Sequence, residues 1–329
     1  MKVQLRWHCA VFGAIFGVLA CGPVHAQSRA FPVKPVRLIV PYAPGSPLET
    51  AMRATTAEMS KNWGQPIVIE NRPGASATIG ADACAKSAPD GYTVCVLDRG
   101  NLVYTPYLMK SIPYDPARDI EPVARLFDMV SVMVVGAQLP IKSMEEMAAY
   151  AKARPGVLNY GSVGEGTSPH VIVESIKGRL GLNVVHIPYA GPPPVMQALM
   201  AGDLHMTVLS VASSAGLIRS GKLRAIAQSG TSRSPVVPTV PTFPETGLND
   251  IDDSNWFALF APARVPKDVT GRYYEELERV FAMPELREQR FVNQGFNPAL
   301  MPGAETAAFI SADRMKAGRI VKELGLIAK

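Results

Sequence analysis

The sequence predicts an α/β fold of two units joined by two crossing strands, and three patterns carry that expectation. Short apolar runs rich in β-favouring residues alternate with helix-period patterns from Val36 to Leu97, the signature of a parallel sheet with helices on both faces. The alternation resumes after Arg154. Two long extended segments, "VARLFDMVSVMVVG" and "SNWFALFAPARVP", lie between the two series and after the second, where a chain would cross between units and return.

Residues 36–40 form the first strand, and the rigid loop Pro41-Tyr42-Ala43-Pro44-Gly45 carries it into a helix. Ser46 stands at the N-cap, Pro47 at the first helical position and Glu49 three residues past the cap, which makes a capping box. Leu48, Met52, Thr55 and Met59 then recur on one face. A strand over 66–70, a helix around 79–88 and a strand over 92–97 complete the first series. In the second, a strand over 158–161 runs through "NYGSVGEGTSPH" into a helix from Pro169 with Ile172, Ile176 and Leu180 on its apolar face. A strand over 183–187, a helix across 195–201 and strands over 204–209 and 223–228 follow. The Pro-rich stretch 234–244, punctuated by apolar residues, reads as a surface connection. A double crossing leaves the C-terminal helices on the first unit, so residues 27–128 and 254–329 are expected in one lobe and 129–253 in the other.

Lys2, Arg6, the apolar run 7–19 and Val24-His25-Ala26 read as a secretory leader over residues 1–26. The run falls short of the roughly 18 apolar residues of a membrane anchor, and no later segment reaches that length. Val18-Leu19-Ala20-Cys21 offers an alternative, a lipoprotein site with a lipid anchor on Cys21. Both readings export the protein. The formal net charge is +5, mild for this length, and no basic block or aromatic-interleaved Lys/Arg tract points to nucleic acid. Beyond the leader, Cys84 and Cys95 sit among apolar residues; they suit a core, and an oxidising compartment permits a bridge. Neither has a partner at metal-ligand spacing, so no metal or other cofactor is expected. The histidines beyond the leader are His170, His186 and His205, and Gly161-Ser162-Val163-Gly164 is not a G-x-S-x-G elbow. An exported hydrolase, which needs a nucleophile with a base in reach, is therefore the weakest functional class, and no catalytic residue is expected.

Each unit offers a glycine-bearing loop feeding a helix start, Gly45-Ser46-Pro47 in the first and Gly164 to Pro169 in the second. Such a terminus presents unpaired backbone N–H groups and the positive end of the helix dipole, a seat for a carboxylate or phosphate. Ser-Pro is also an ordinary helix opening, so the pairing of two such loops carries the functional reading rather than either alone. Neither matches G-x-x-x-x-G-K-[ST] or G-x-G-x-x-G, which argues against nucleotides.

The segments "PVRLIVPYAPG", "WGQPIVIENRPGA", "IGADACAKSAPDGYTV", "IPYDPARDIEPVA", "KARPGVLNYGSVGEGTSPH", "VVHIPYAG", "SGKLRAIAQSG" and "WFALFAPARVP" together resemble the periplasmic solute-binding receptors of tripartite tricarboxylate transporters, the Bug-type receptors. The resemblance implies a two-lobed periplasmic-binding-protein fold (type II, Venus flytrap) that closes on a small organic carboxylate and delivers it to membrane permease subunits. It implies a monomer without cofactor. The ligand residues it implies are Tyr42, Ala43, Pro44, Gly45, Ser46 and Glu49 of the first loop and Gly74, Ala75, Ser76 and Ala77 of the second. From the other lobe come Ser162, Gly166, Thr167, Ser168, His170, Tyr189, Ala190 and Ser210.

Departures from the family pattern sharpen the expectation. The family's first loop usually reads Pro-Gly-Gly with an Asp at the position of Glu49; here the second Gly is Ser46, and Glu49 serves the capping box or the ligand. A family Asp is replaced by Leu209, beside Ser210. Where the family has small polar residues after the third strand, this chain has Asp98-Arg99-Gly100-Asn101. Arg99 is expected either to fork onto a second ligand carboxylate or to be neutralised by Asp98 or another acid. A free Arg99 and an apolar Leu209 would favour a dicarboxylate, including an aromatic one such as terephthalate. A sensory co-receptor presenting its ligand to a membrane signalling protein is the alternative.

Overall fold

The computed structural model describes residues 31–249, 251 and 255–326. The expected leader over 1–26 and Cys21 lie outside the described residues. β1 (Val36–Val40), α1 (Pro47–Trp63), β2 (Ile67–Asn71), α2 (Thr78–Ala85) and β3 (Thr93–Asp98) come first, then a π-helical turn over Gly100–Tyr104 and α3 (Thr105–Leu108). β4 (Ile120–Met129) and β5 (Ser131–Gly136) follow with Val130 between them. Next come α4 (Met144–Ala153), β6 (Asn159–Ser162), α5 (Ser168–Leu180), β7 (Val185–Pro188), α6 (Pro192–Ala201), β8 (Met206–Ser210), α7 (Val211–Arg219) and β9 (Leu223–Gln228). The chain ends with β10 (Trp256–Pro262), α8 (Lys267–Phe281), α9 (Pro284–Leu286), β11 (Phe296–Pro302) and α10 (Gly303–Glu323). No helix among the described residues is long and apolar enough to cross a membrane.

These elements make two lobes, one around a six-stranded sheet of order β11-β4-β10-β3-β1-β2 and one around a five-stranded sheet of order β7-β6-β8-β5-β9. The parallel pairing expected from the strand–helix alternation holds for β2·β1·β3 and β7·β6·β8. The rest of each sheet is antiparallel, because β10 and β4 in one sheet and β5 and β9 in the other belong to the crossings, where the chain reverses direction. The chain changes sheets between Met129 and Ser131, and again between Gln228 and Trp256. β10 lies centrally with every residue buried, which is why it reads as an unbroken apolar run rather than an alternation.

The C-terminal elements pack on the first lobe, as the double crossing predicts. Phe127 of β4 meets Phe281, Phe291 and Phe296, and α10 buries Ala317 and Val321 in the core that contains Trp256. Cys84 and Cys95 are bonded, with Cα atoms 6.1 Å apart, so α2 is covalently tied to β3. The stretch 234–244 is more than a surface connection: Val237 and Val240 enter the second-lobe core, and Gln228 Nε2 donates to both their carbonyls. Burying those two side chains offsets the ordering of an otherwise structureless segment.

Candidate functional site

The first-lobe loop from Tyr42 to Ser46 is held from behind and exposed at Ala43, Pro44 and Gly45. Asn71 Nδ2 donates to the Tyr42 carbonyl (2.8 Å), and the Ser46 N–H donates to the Ala43 carbonyl (3.2 Å). Ser46 Oγ accepts the Glu49 N–H at 3.3 Å, as the capping box predicts. The return bond is displaced by one residue: Glu49 Oε2 accepts the Gly45 N–H at 3.2 Å, and its other oxygen pairs with Arg53. Glu49 is 4% exposed, and its two oxygens are taken up by the Gly45 N–H and Arg53 at the start of α1.

The second loop is strained. Gly74 is followed by three non-glycine residues with positive φ, Ala75 (47°), Ser76 (51°) and Ala77 (68°). Each costs an L-residue about 1–2 kcal/mol, so the turn persists only where its surroundings impose it. Thr78 Oγ1 donates to the Ala75 carbonyl (2.7 Å), and Asn101 Nδ2 donates to the Ser76 carbonyl (2.6 Å). With its carbonyls held by first-lobe side chains, the turn stands at the head of α2. Nothing in Ala-Ser-Ala signals a left-handed turn.

From the second lobe the loop after β6 comes to meet it. A Cβ added to Gly164 would stand 3.4 Å from Ser76 Oγ, and one added to Gly166 would stand 3.1 Å from Leu108 Cδ1. Both glycines have positive φ, 122° and 77°, so a larger residue would meet both strain and the facing lobe. Thr167, rather than Ser168, is the N-cap of α5, and its hydroxyl donates to the Gly164 carbonyl (2.7 Å) instead of capping. Ser168 Oγ, in a residue 4% exposed, has no hydrogen-bond partner among the described residues. Ser162 Oγ lies 2.8 Å from His186 Nε2, and the His170 ring stacks on His186 with centroids 4.4 Å apart. His170 Nδ1 accepts the Gly166 N–H (3.2 Å), which requires the neutral ring. Burial, reinforced by His186, lowers the His170 pKa to about 4, and burial also lowers that of His186.

The remaining expected residues divide. The Tyr189 N–H donates to the Ser162 carbonyl (2.9 Å), which fixes the loop carrying exposed Ala190 beside the same strand end. Ser210 caps α7 by accepting the Ser213 N–H (3.3 Å) and is paired opposite Ser131 at the crossing. Leu209 is 5% exposed and packs in the second-lobe core.

Arg99 requires a correction. Its side chain is fully buried, Nε and an Nη of the guanidinium fork onto the two carboxylate oxygens of Asp313 (2.6 Å each), and the other Nη donates to Tyr104 Oη (2.7 Å). Trp256 Nε1 also donates to Asp313 (2.8 Å). The bidentate geometry was legible in the residue type, but its partner lies far along the chain in α10. Beside it, Asp98 accepts the Tyr42 hydroxyl at 2.5 Å. Burial raises the Asp98 pKa against hydrogen bonds from Tyr42 and two backbone amides, and burial with the Asp98 charge pushes the Tyr42 phenol well up. Asp98 and Asn101, which hold the Tyr42 hydroxyl and the Ser76 carbonyl, carry no spacing or residue-type signal in the sequence that marks them for these contacts.

An open groove of about 670 Å³ lies beside the strained turn, lined by Arg37, Arg72, Ala75, Ile79 and Lys86 among others. Its cations pair with Glu70 and Asp82, which leaves it a solvated face. No group of three or more His, Cys, Asp or Glu among the described residues could hold a metal ion.

The family described as "Tripartite tricarboxylate transporter family receptor" matches residues 51–326. The UPF0065 protein of the gbd 5' region of Cupriavidus necator is 35% identical over 309 residues, 94% of this chain and 93% of that protein. Rpa4515 of R. palustris, solved with adipate, superposes with a TM-score of 0.85 at 26% identity, covering 91% of this chain and 100% of that one. MatC of Rhodopseudomonas palustris, solved with bound malate, gives 0.79 at 30% identity, covering 88% and 100%.

Proposed function

This chain belongs to the tripartite tricarboxylate transporter receptor family, a family of non-catalytic periplasmic binding proteins, and from that premise we propose that it captures a small organic carboxylate between its lobes and delivers it to the permease of a tripartite tricarboxylate-type transporter. The observation that carries the reading is the meeting of two loops, one per lobe, each leading into a helix start: the turn at Ser76 and the glycine loop at Gly164–Ser168. The ligand is received by the backbone N–H groups of Ala43 and of 75–77 and by the start of α5, where the partnerless Ser168 hydroxyl supplies a further donor. In this reading residues 31–129 with 255–326 and residues 131–249 move as the two lobes of a monomer exported to the periplasm.

We extend the reading to a dicarboxylate, because two similar proteins are solved with adipate and malate. Neutral donors carry the second carboxylate in this proposal, since Arg99 is committed to Asp313. An aromatic diacid such as terephthalate loses its support with Arg99 and remains only as one arm of the test. Ser162 and His186 have the separation of a nucleophile and base, but the serine is 1% exposed and also donates to its own loop at the Gly164 carbonyl (3.0 Å). The pair is read as a brace for the loop.

A thermal-shift screen of refolded protein against malate, adipate, terephthalate and their monoacids tests the proposal. A ligand at about 100 times its Kd adds roughly 2.7 kcal/mol, which a melting curve resolves. Stabilisation by an aliphatic diacid and not by its monoacid is the expected result; a cooperative melt that no carboxylate shifts would refute the reading.

A further inference from the structure

We propose that Asp98 and Asn101 are positioning residues that set ligand affinity by clamping both first-lobe loops from beneath, without touching the ligand; this rests on the carboxylate-receptor reading above. One oxygen of Asp98 accepts the Tyr42 hydroxyl (2.5 Å) and the other accepts the Asn101 N–H (2.9 Å). Asn101 Oδ1 in turn accepts the Asp98 N–H (3.3 Å), and Asn101 Nδ2 donates to the Ser76 carbonyl (2.6 Å). The loop at Tyr42 and the turn at Ser76 therefore meet on one reciprocal Asp–Asn unit at the end of β3.

The peptide that Asn101 grips joins Ser76 (φ 51°) to Ala77 (φ 68°), the middle of the left-handed turn. L-residues relax from that region toward the right-handed or extended wells unless held, and such a relaxation re-aims the amides of the turn. The far end of α2 cannot follow, because Cys84 is bonded to Cys95 on β3, the strand that ends in Asp98. Covalent and hydrogen bonds thus close a ring from β3 through Asp98, Asn101, Ser76 and α2 back to β3. Arg99, between the two clamp residues, pins the ring to α10 through Asp313. Asn101 is 4% exposed, so water does not readily replace its grip.

Crystal structures and binding titrations of the intact mature protein with Asn101→Ala and with the near-isosteric Asn101→Leu, which cannot donate to Ser76, test the assignment. The expected result is a Ser76–Ala77 peptide that leaves the positive-φ region in both variants. Affinity for whichever of malate or adipate binds the wild type falls about tenfold, the worth of one lost hydrogen bond. Adding Ala77→Gly, which accepts φ 68° without penalty, restores part of that affinity in the Asn101→Ala background. A purely structural asparagine would lower the melting temperature and not respond to the glycine. A turn that keeps its positive φ in both variants, or an affinity loss that Ala77→Gly leaves unchanged, overturns the proposal. If neither diacid binds the wild type, the extension to an aliphatic dicarboxylate fails and the φ comparison alone decides the clamp.

Discussion

At the scale of residues, the polar groups near the cleft are mostly committed to the chain itself. Glu49 supplies an anion to its own helix start, and its replacement by Ala orphans the Gly45 N–H and leaves Arg53 unpaired. Chemical denaturation of Glu49→Ala is expected to show a loss of about 1–2 kcal/mol, the usual cost of a removed cap. His170 makes a pH-dependent contribution. Its folded pKa of about 4 lies below the ordinary 6.5, so the folded state binds fewer protons than the unfolded chain between those values. Stability is fully present above pH 6.5, falls as pH drops through that window and is lost below about 4, with on the order of 3 kcal/mol at most at stake. Melting curves of His170→Asn, whose amide oxygen can still accept the Gly166 N–H, are expected to flatten that slope. The residual slope is that of His186 and His205, whose pKa values burial also lowers.

At the scale of elements, strands, helices and their caps were legible because their signals are periodic and local. β1, α1 and β9 stand where the patterns put them, and most other boundaries moved by a residue or two. The left-handed turn before α2 was illegible, since Ala75, Ser76 and Ala77 adopt it only under ties from Thr78 and Asn101. The Cys84–Cys95 bridge closes a short loop between α2 and β3. Replacing both cysteines by Ala is expected to cost about 3 kcal/mol in unfolding experiments, the loop-entropy value for a loop of this length. The loop before α5 is equally constrained: Gly166→Ala adds a Cβ at φ 77° and 3.1 Å from Leu108. Weaker ligand binding with an unchanged far-UV spectrum is the expected outcome, and undiminished affinity would show that the lobes do not need this approach.

At the scale of the whole molecule, the two crossings form the only routes along the described backbone by which one sheet passes to the other, between Met129 and Ser131 and between Gln228 and Trp256. Under the proposed function these segments hinge, and ligand is expected to shift the population toward the form with the lobes together. Solution scattering is expected to give a smaller radius of gyration with saturating ligand, and superimposable curves would count against closure. By itself the sequence determined the α/β character, the two series of strands and helices, the crossings and the glycine loops, because each follows from hydrophobic period, capping or turn chemistry among near neighbours. Only the tertiary structure decided that Arg99 faces Asp313, that Glu49 turns back onto Gly45 and that Asn101 holds a strained turn. A buried charge or a strained peptide is stabilised by whatever partner folding brings within hydrogen-bond reach, and that partner is set by packing across the lobe and not by spacing along the chain.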